Sequence, residues 1–307
     1  MTPSNPQALS HAPIHTSRAL YRIGCVSFLN ALPLIDGIET DQHTVVKYDV
    51  PSRLLADLEA GEVDIALCPV IDYHTARTPL CVVPSGAIGC DGTTLTVRLY
   101  SQVEPEAINT VHVDTDSHTS IVLMRILLEK LYHTRPRVID YHAPEHVANH
   151  HPLPWPQAML LIGDKVVSDS PPAVRYPHQM DLGHAWKRMT GLPFVFAVWM
   201  TRQNTTLGDL PLRLAKVRDI NLQRIDQITR KHADRLGWPV DLARQYLGKN
   251  LRYTFGSIEQ QAMEHFGTLA HQSGCIDRCR LMNLYTHHQA TVDRPRPQLD
   301  TIPSPRK

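Results

Sequence analysis

A run of hydroxyl and carboxylate side chains, Asp114-Thr115-Asp116-Ser117-His118-Thr119-Ser120, stands directly ahead of the apolar segment SIVLMRILLEKLY (120–132). The segment reads as a strongly apolar helix, so the hydroxyls of Thr115, Ser117, Thr119 and Ser120 meet the free N–H groups of a helix start. That combination binds anions. The plainer reading is an N-cap, whose loss costs about 0.5–2 kcal/mol. Further polar clusters flank strand-like runs. Ser27 and Asn30 bracket Phe28-Leu29 after YRIGCVS (21–27), and Pro33 restrains the turn beyond. Ile71, Asp72 and Tyr73 follow VDIALCPV (63–70). Ile88-Gly89-Cys90-Asp91-Gly92-Thr93-Thr94, expected as a turn, leads into LTVRLYS (95–101), which carries Thr96, and Gly163-Asp164 follows MLLI. These too have plain readings. Asn30 can bond nearby backbone, Asp91-Gly92 makes a turn, and Asp164 can cap the next segment.

These residues are hydroxyls, amides and carboxylates with no nucleophile–base pair evident from spacing. Gly-x-Gly-x-x-Gly, the P-loop, Gly-x-Ser-x-Gly and His-Glu-x-x-His are all absent from the sequence. Of the 18 histidines, the pairs His150-His151 and His287-His288 sit in polar stretches, and Cys275 and Cys279 have no accompanying pair at zinc-site spacing. No metal is expected.

The elements that must position these groups alternate along the chain. YRIGCVS, TVVKYD (44–49), VDIALCPV, LTVRLYS, TVHVD (110–114), RVIDY (137–141), MLLIGD (159–164) and FVFAVWM (194–200) read as strands. Leu54, Leu55 and Leu58 fit one face of a helix started by Pro51. Beyond 200 the pattern is helical, with Gly248 expected as a helix stop and Ser257 with Gln260 as a capping box. The alternation predicts an α/β fold with largely parallel sheets in two lobes. Residues 1–20 are expected to be a flexible segment, 21–103 with 201–285 one lobe, 104–200 the other, and 286–307 a disordered tail. In a parallel α/β sheet, the loops after strand ends line the cleft.

The chain has 307 residues, 42% hydrophobic and 20% charged, enough for a sizeable core. Lys+Arg 31 against Asp+Glu 30 gives a net charge of +1, which argues against nucleic acid or an anionic membrane as partner. No apolar run reaches the roughly 18 residues of a membrane span. The N-terminal residues lack a secretory pattern, so a cytoplasmic protein with reduced cysteines is expected. Neither charge nor patterning assigns an oligomeric state.

Several strings, in order over about 21–285, resemble the chorismate dehydratase family of the futalosine route to menaquinone. They are IGCVSFLNALPL, VPSRLLADLEAGEVDIALCPVIDY, IGCDG with LTVRLYS, DTDSHTSIVLMRILL, LLIGD and MDLGHAWKRMTGLPFVFAVW. The resemblance implies a two-lobed fold like type 2 periplasmic solute-binding proteins, substrate held between the lobes, and no metal or organic cofactor. Ala31 stands where the family usually has threonine, Thr96 in place of serine, Thr93 in place of proline, and His118 where arginine is common. Thr96 keeps the hydroxyl.

The resemblance further implies the substrate chorismate, with its two carboxylates, ring hydroxyl and enolpyruvyl ether. Loss of water makes the ring aromatic. Such a site must bind two anions, steady a developing enediolate and assist hydroxide departure, which uncharged donors can do. The expected catalytic residues are Asn30 and Ser27. The expected substrate-binding residues are Thr96, Asp91, Gly92, Thr115, Ser117, His118, Thr119, Ser120, Gly163 and Asp164. Asp164, His118 or the substrate's own enolpyruvyl carboxylate is available as base. The competing readings are a non-catalytic solute-binding module for a small carboxylate and the related dihydroxynaphthoate synthase.

Overall fold

The computed structural model describes residues 20–40, 42–114, 117–141, 155–168, 170–171 and 173–286. The segments expected to be flexible at 1–20 and disordered at 286–307 lie almost wholly outside the described residues.

Two mixed sheets carry the fold. The strands are β1 (Tyr21–Cys25), β2 (Thr44–Tyr48), β3 (Ile65–Pro69), β4 (Leu80–Cys90), β5 (Val97–Ser101), β6 (Thr110–Val113), β7 (Arg137–Asp140), β8 (Ala158–Ile162), β9 (His178–Asp181), β10 (Phe194–Arg202) and β11 (Leu251–Arg252). The first sheet has the order β11-β4-β10-β3-β1-β2 and the second β7-β6-β8-β5-β9. Each holds a parallel trio, β2-β1-β3 and β7-β6-β8. Beside each trio lies an antiparallel strand that the chain forms on arriving from the other sheet, β10 in the first and β5 in the second.

This corrects two expectations. The sheets are mixed rather than largely parallel, because side-chain periodicity carries no strand direction. The passages between sheets fall after β4 and before β10, at about 91–96 and 182–193, not at 103/104 and 200/201. LTVRLYS therefore belongs to the second sheet and FVFAVWM to the first. The IGC of 88–90 is the end of an 11-residue strand, and the turn begins only at Asp91.

An aromatic cluster locks the return passage. Trp186, in the helix Leu182–Thr190, meets Phe194 of β10 and Phe266 of the helix Ser257–Gln272 edge-on, at 5.2 and 6.0 Å. The outward passage is held by Asp181, whose carboxylate accepts from the backbone N–H groups of Thr94 (3.0 Å), Leu95 (2.8 Å) and His184 (3.0 Å). Gly183 allows this approach: a Cβ there would stand 2.5 Å from Cys90 Sγ and 2.6 Å from the Gly92 carbonyl. Leu95 itself sits at φ 72°, a conformation that non-glycine residues keep only when their surroundings enforce it. Thr94 and Thr96 thus leave a backbone that is held in place.

Two helix ends also differ from expectation. The helix Val240–Gln245 does not stop at Gly248 but widens into a π turn, Tyr246–Asn250. The cap of Ser257–Gln272 is Gly256, whose N–H donates to Glu259 at 2.9 Å, one residue ahead of the Ser257/Gln260 box.

Candidate active site between the two sheets

A cleft of about 620 Å³, including its open mouth, lies between the sheets. Its polar lining comes from separate elements. Asn30 stands in the 3-10 turn Leu29–Ala31 after β1. Thr94 and Thr96 lie in the held passage before β5. Ser117 and Ser120 begin the helix His118–Tyr132, and Gly163 follows β8. Tyr246 opens the π turn. Phe28 and Phe196 are among the apolar residues that complete the walls. None of the described lining residues has a carboxylate, ammonium, guanidinium or imidazole side chain.

Tyr246 is the centre of the polar wall. It is 1% exposed, and its hydroxyl lies 2.7 Å from Thr96 Oγ1. Asn30 lines the same wall. Asn30 Oδ1 is buried and has no partner. Burial pushes the Tyr246 phenol far above its ordinary value, so it stays protonated. Trp238 stacks on its ring at 4.9 Å with planes 11° apart. The tryptophan follows Gly237, a left-handed residue (φ 74°) that ends a 3-10 turn, and its N–H returns to the Ala233 carbonyl at 2.9 Å. Asn250, closing the π turn, donates to the Thr93 carbonyl at 3.1 Å and ties it to the passage.

Facing this wall is the start of His118–Tyr132. Ser117 is its N-cap and accepts from the Ser120 N–H at 3.3 Å, while the two hydroxyls lie 3.0 Å apart. The cap reading and the cleft reading both hold for Ser117. A 15-residue helix brings partial positive charge to this end, the one cationic feature of the described lining.

Other expected site residues have different partners. Asp164, after β8, accepts the Trp238 indole N–H at 2.9 Å. It thereby joins the second sheet to elements packed on the first, and burial raises its carboxyl. His118 Nδ1 bonds Asp72 Oδ1 at 2.9 Å. Thr119 is wholly buried and its hydroxyl accepts from the Ile71 N–H at 3.2 Å. Asp91 pairs with Lys187 at 2.6 Å, and Gly92 supplies a turn at φ 124°. Ser27 is exposed and does not line the cleft. Thr115 lies outside the described residues. Strand-end position selected all of these, but which way each side chain turns depends on tertiary partners.

Tyr246, Trp238 and Thr94 did not stand out in the sequence. Tyr246 reads there as one more apolar-face residue beside Leu242 and Leu247. Its usable signal is chemical: a buried tyrosine hydroxyl needs a partner. A wider groove, about 1410 Å³, lies on the second lobe between Glu104, His178 and Arg188. None of the expected site residues lines it.

All six cysteines are free thiols. Among the described residues no helix is long and apolar enough to cross a membrane, and no three His, Cys, Asp or Glu side chains gather as metal ligands.

Comparison with known proteins adds the following. A family profile described as menaquinone biosynthesis matches residues 21–272. The chorismate dehydratase of Thermus thermophilus is 27% identical over 266 residues, spanning 80% of this chain and 93% of that protein. Among solved structures, a protein from Archaeoglobus fulgidus superposes with a TM-score of 0.66 at 14% identity, covering 85% of this chain and all of that one. The periplasmic aliphatic sulphonate binding protein of Escherichia coli does so with a TM-score of 0.58 at 12% identity, over 86% of this chain and 95% of that one. At those identities the likeness concerns the fold, the two-lobed α/β arrangement of periplasmic binding proteins.

Proposed function

The chain belongs to the menaquinone biosynthesis family, and from that membership we propose that it is a chorismate dehydratase, a hydro-lyase acting in the cytoplasm on the futalosine route. The product is 3-[(1-carboxyvinyl)oxy]benzoate. The observation that carries the reading is the uncharged cleft in which Thr96 bonds the Tyr246 phenol beside Asn30, opposite a serine-flanked helix start. The relative from Thermus thermophilus supplies the reaction. The free thiols agree with a reducing compartment.

The chemistry asks little of charged groups. The ring hydrogen on the carbon bearing the ether leaves as a proton, and its electron pair becomes a ring double bond. The neighbouring C–O bond breaks with its pair on oxygen, and proton and hydroxide together make water. Aromaticity drives the step. Ser117, Ser120 and the helix N-terminus hold one carboxylate. Asn30 and Thr96 take the ring's polar edge. Asp164 is engaged by Trp238, His118 by Asp72, and Tyr246 stays protonated. This supports the substrate's enolpyruvyl carboxylate as the base.

A binding module without catalysis shares this fold, as the sulphonate-binding relative illustrates. Incubation with chorismate separates the two: a dehydratase generates the absorbance of a benzenoid product, a binder leaves chorismate unchanged.

A further inference from the structure

The Tyr246 hydroxyl is buried and bonds Thr96 Oγ1 at 2.7 Å. A phenol has one hydrogen to give. Buried against Thr96, the phenol gives that hydrogen to Thr96 Oγ1, and the threonine's own hydrogen is left for the cleft. On the same wall, Asn30 Oδ1 is buried and has no partner. The wall therefore presents an acceptor, Asn30 Oδ1, beside a donor, the Thr96 O–H. A carboxylate does not suit that pair, because it would set acceptor against acceptor. An alcohol does, since it donates and accepts at once.

We infer that Tyr246 is a positioning residue that orients Thr96, so that Thr96 and the neighbouring Asn30 grip the substrate's leaving ring hydroxyl, rather than either carboxylate. This rests on the dehydratase reading above. The hydroxyl donates to Asn30 Oδ1 and accepts from Thr96. As the C–O bond breaks, the Thr96 contact becomes charge-assisted and strengthens in the transition state, where it raises turnover rather than affinity. The Trp238 stack and the Asn250–Thr93 bond hold the phenol in register for Thr96.

Tyr246→Phe removes the oxygen and keeps the ring on Trp238. The expected result is a fall in kcat of about 10–100-fold with KM within about threefold of wild type. Thr96→Val breaks the same bond from the other side and gives a similar loss even where Tyr246→Phe folds poorly. In the double variant the second change costs less than about threefold more, because both remove one device. A Tyr246→Phe enzyme with wild-type kcat, or two losses that multiply independently, overturns the inference. A wild-type protein that forms no aromatic product overturns the dehydratase reading itself, and this inference with it.

Discussion

His118 Nδ1 lies 2.9 Å from Asp72 Oδ1, and the bond joins the start of the helix after β6 in the second sheet to the short helix Asp72–Thr75 after β3 in the first. Asp72 is 1% exposed and its other oxygen has no partner. Next to it, the Ile71 N–H reaches Thr119. The two contacts fasten the lobes beside the cleft rather than line it.

That bond predicts a pH dependence. The hydrogen bond to Asp72 raises the His118 pKa above its ordinary 6.5. A raised histidine stabilises while it is protonated, so its contribution is complete below 6.5 and fades as pH rises through the higher folded value. Burial raises Asp72 as well, which acts in the same direction from a lower starting point. The melting temperature of wild type is expected to decline from mildly acidic to mildly alkaline pH. Asp72→Asn keeps the shape, loses the charge and should flatten that slope. An unchanged slope in Asp72→Asn would assign the dependence to other groups.

Asn30→Asp should be far more damaging than its size suggests. It removes an amide from the cleft wall beside Tyr246 and puts a negative charge against a doubly anionic substrate in a water-poor cleft. A fall in kcat/KM of at least about 100-fold is expected, with folding little altered. Asn30→Ala should be milder. Chorismate turnover by Asn30→Asp at the wild-type rate would make Asn30 a structural loop residue.

Trp238→Phe tests the Asp164 clasp. The stack on Tyr246 survives, but the 2.9 Å indole bond to Asp164 is lost. A buried carboxylate deprived of that donor is expected to lower stability by about 1–3 kcal/mol in urea denaturation. A variant as stable as wild type would mean that Asp164 does not depend on the indole donor.

Much of this fold is legible in residue patterns. The strand–helix alternation of 21–75 and 110–132 follows from apolar spacing, and Pro51 does open its helix. Sheet membership is not legible, because β5 and β10 look like their neighbours and only pairing across the molecule sorts them. The site divides the same way. Asn30, Thr96, Ser117 and Ser120 sit at chain junctions rich in polar residues, where sequence draws attention. Tyr246 and Trp238 lie among apolar neighbours in the C-terminal helices, and their partners are about 75 to 150 residues away in sequence. Asp164 and His118 have the right residue types at strand ends, but each is taken by a partner from the other sheet.

Chelation should leave activity intact. Among the described residues no three His, Cys, Asp or Glu side chains gather as metal ligands, and the proposed elimination needs none. Activity lost in EDTA and restored by a divalent cation would require a metal centre that this account lacks.

The account stands most directly on one measurement, the fate of chorismate incubated with the purified wild-type protein and followed by absorbance and mass spectrometry. The predicted result is catalytic conversion to a benzenoid product lighter by one water, with the enolpyruvyl ether retained. Chorismate that is bound and recovered unchanged, or converted with loss of the enolpyruvyl group, would contradict it.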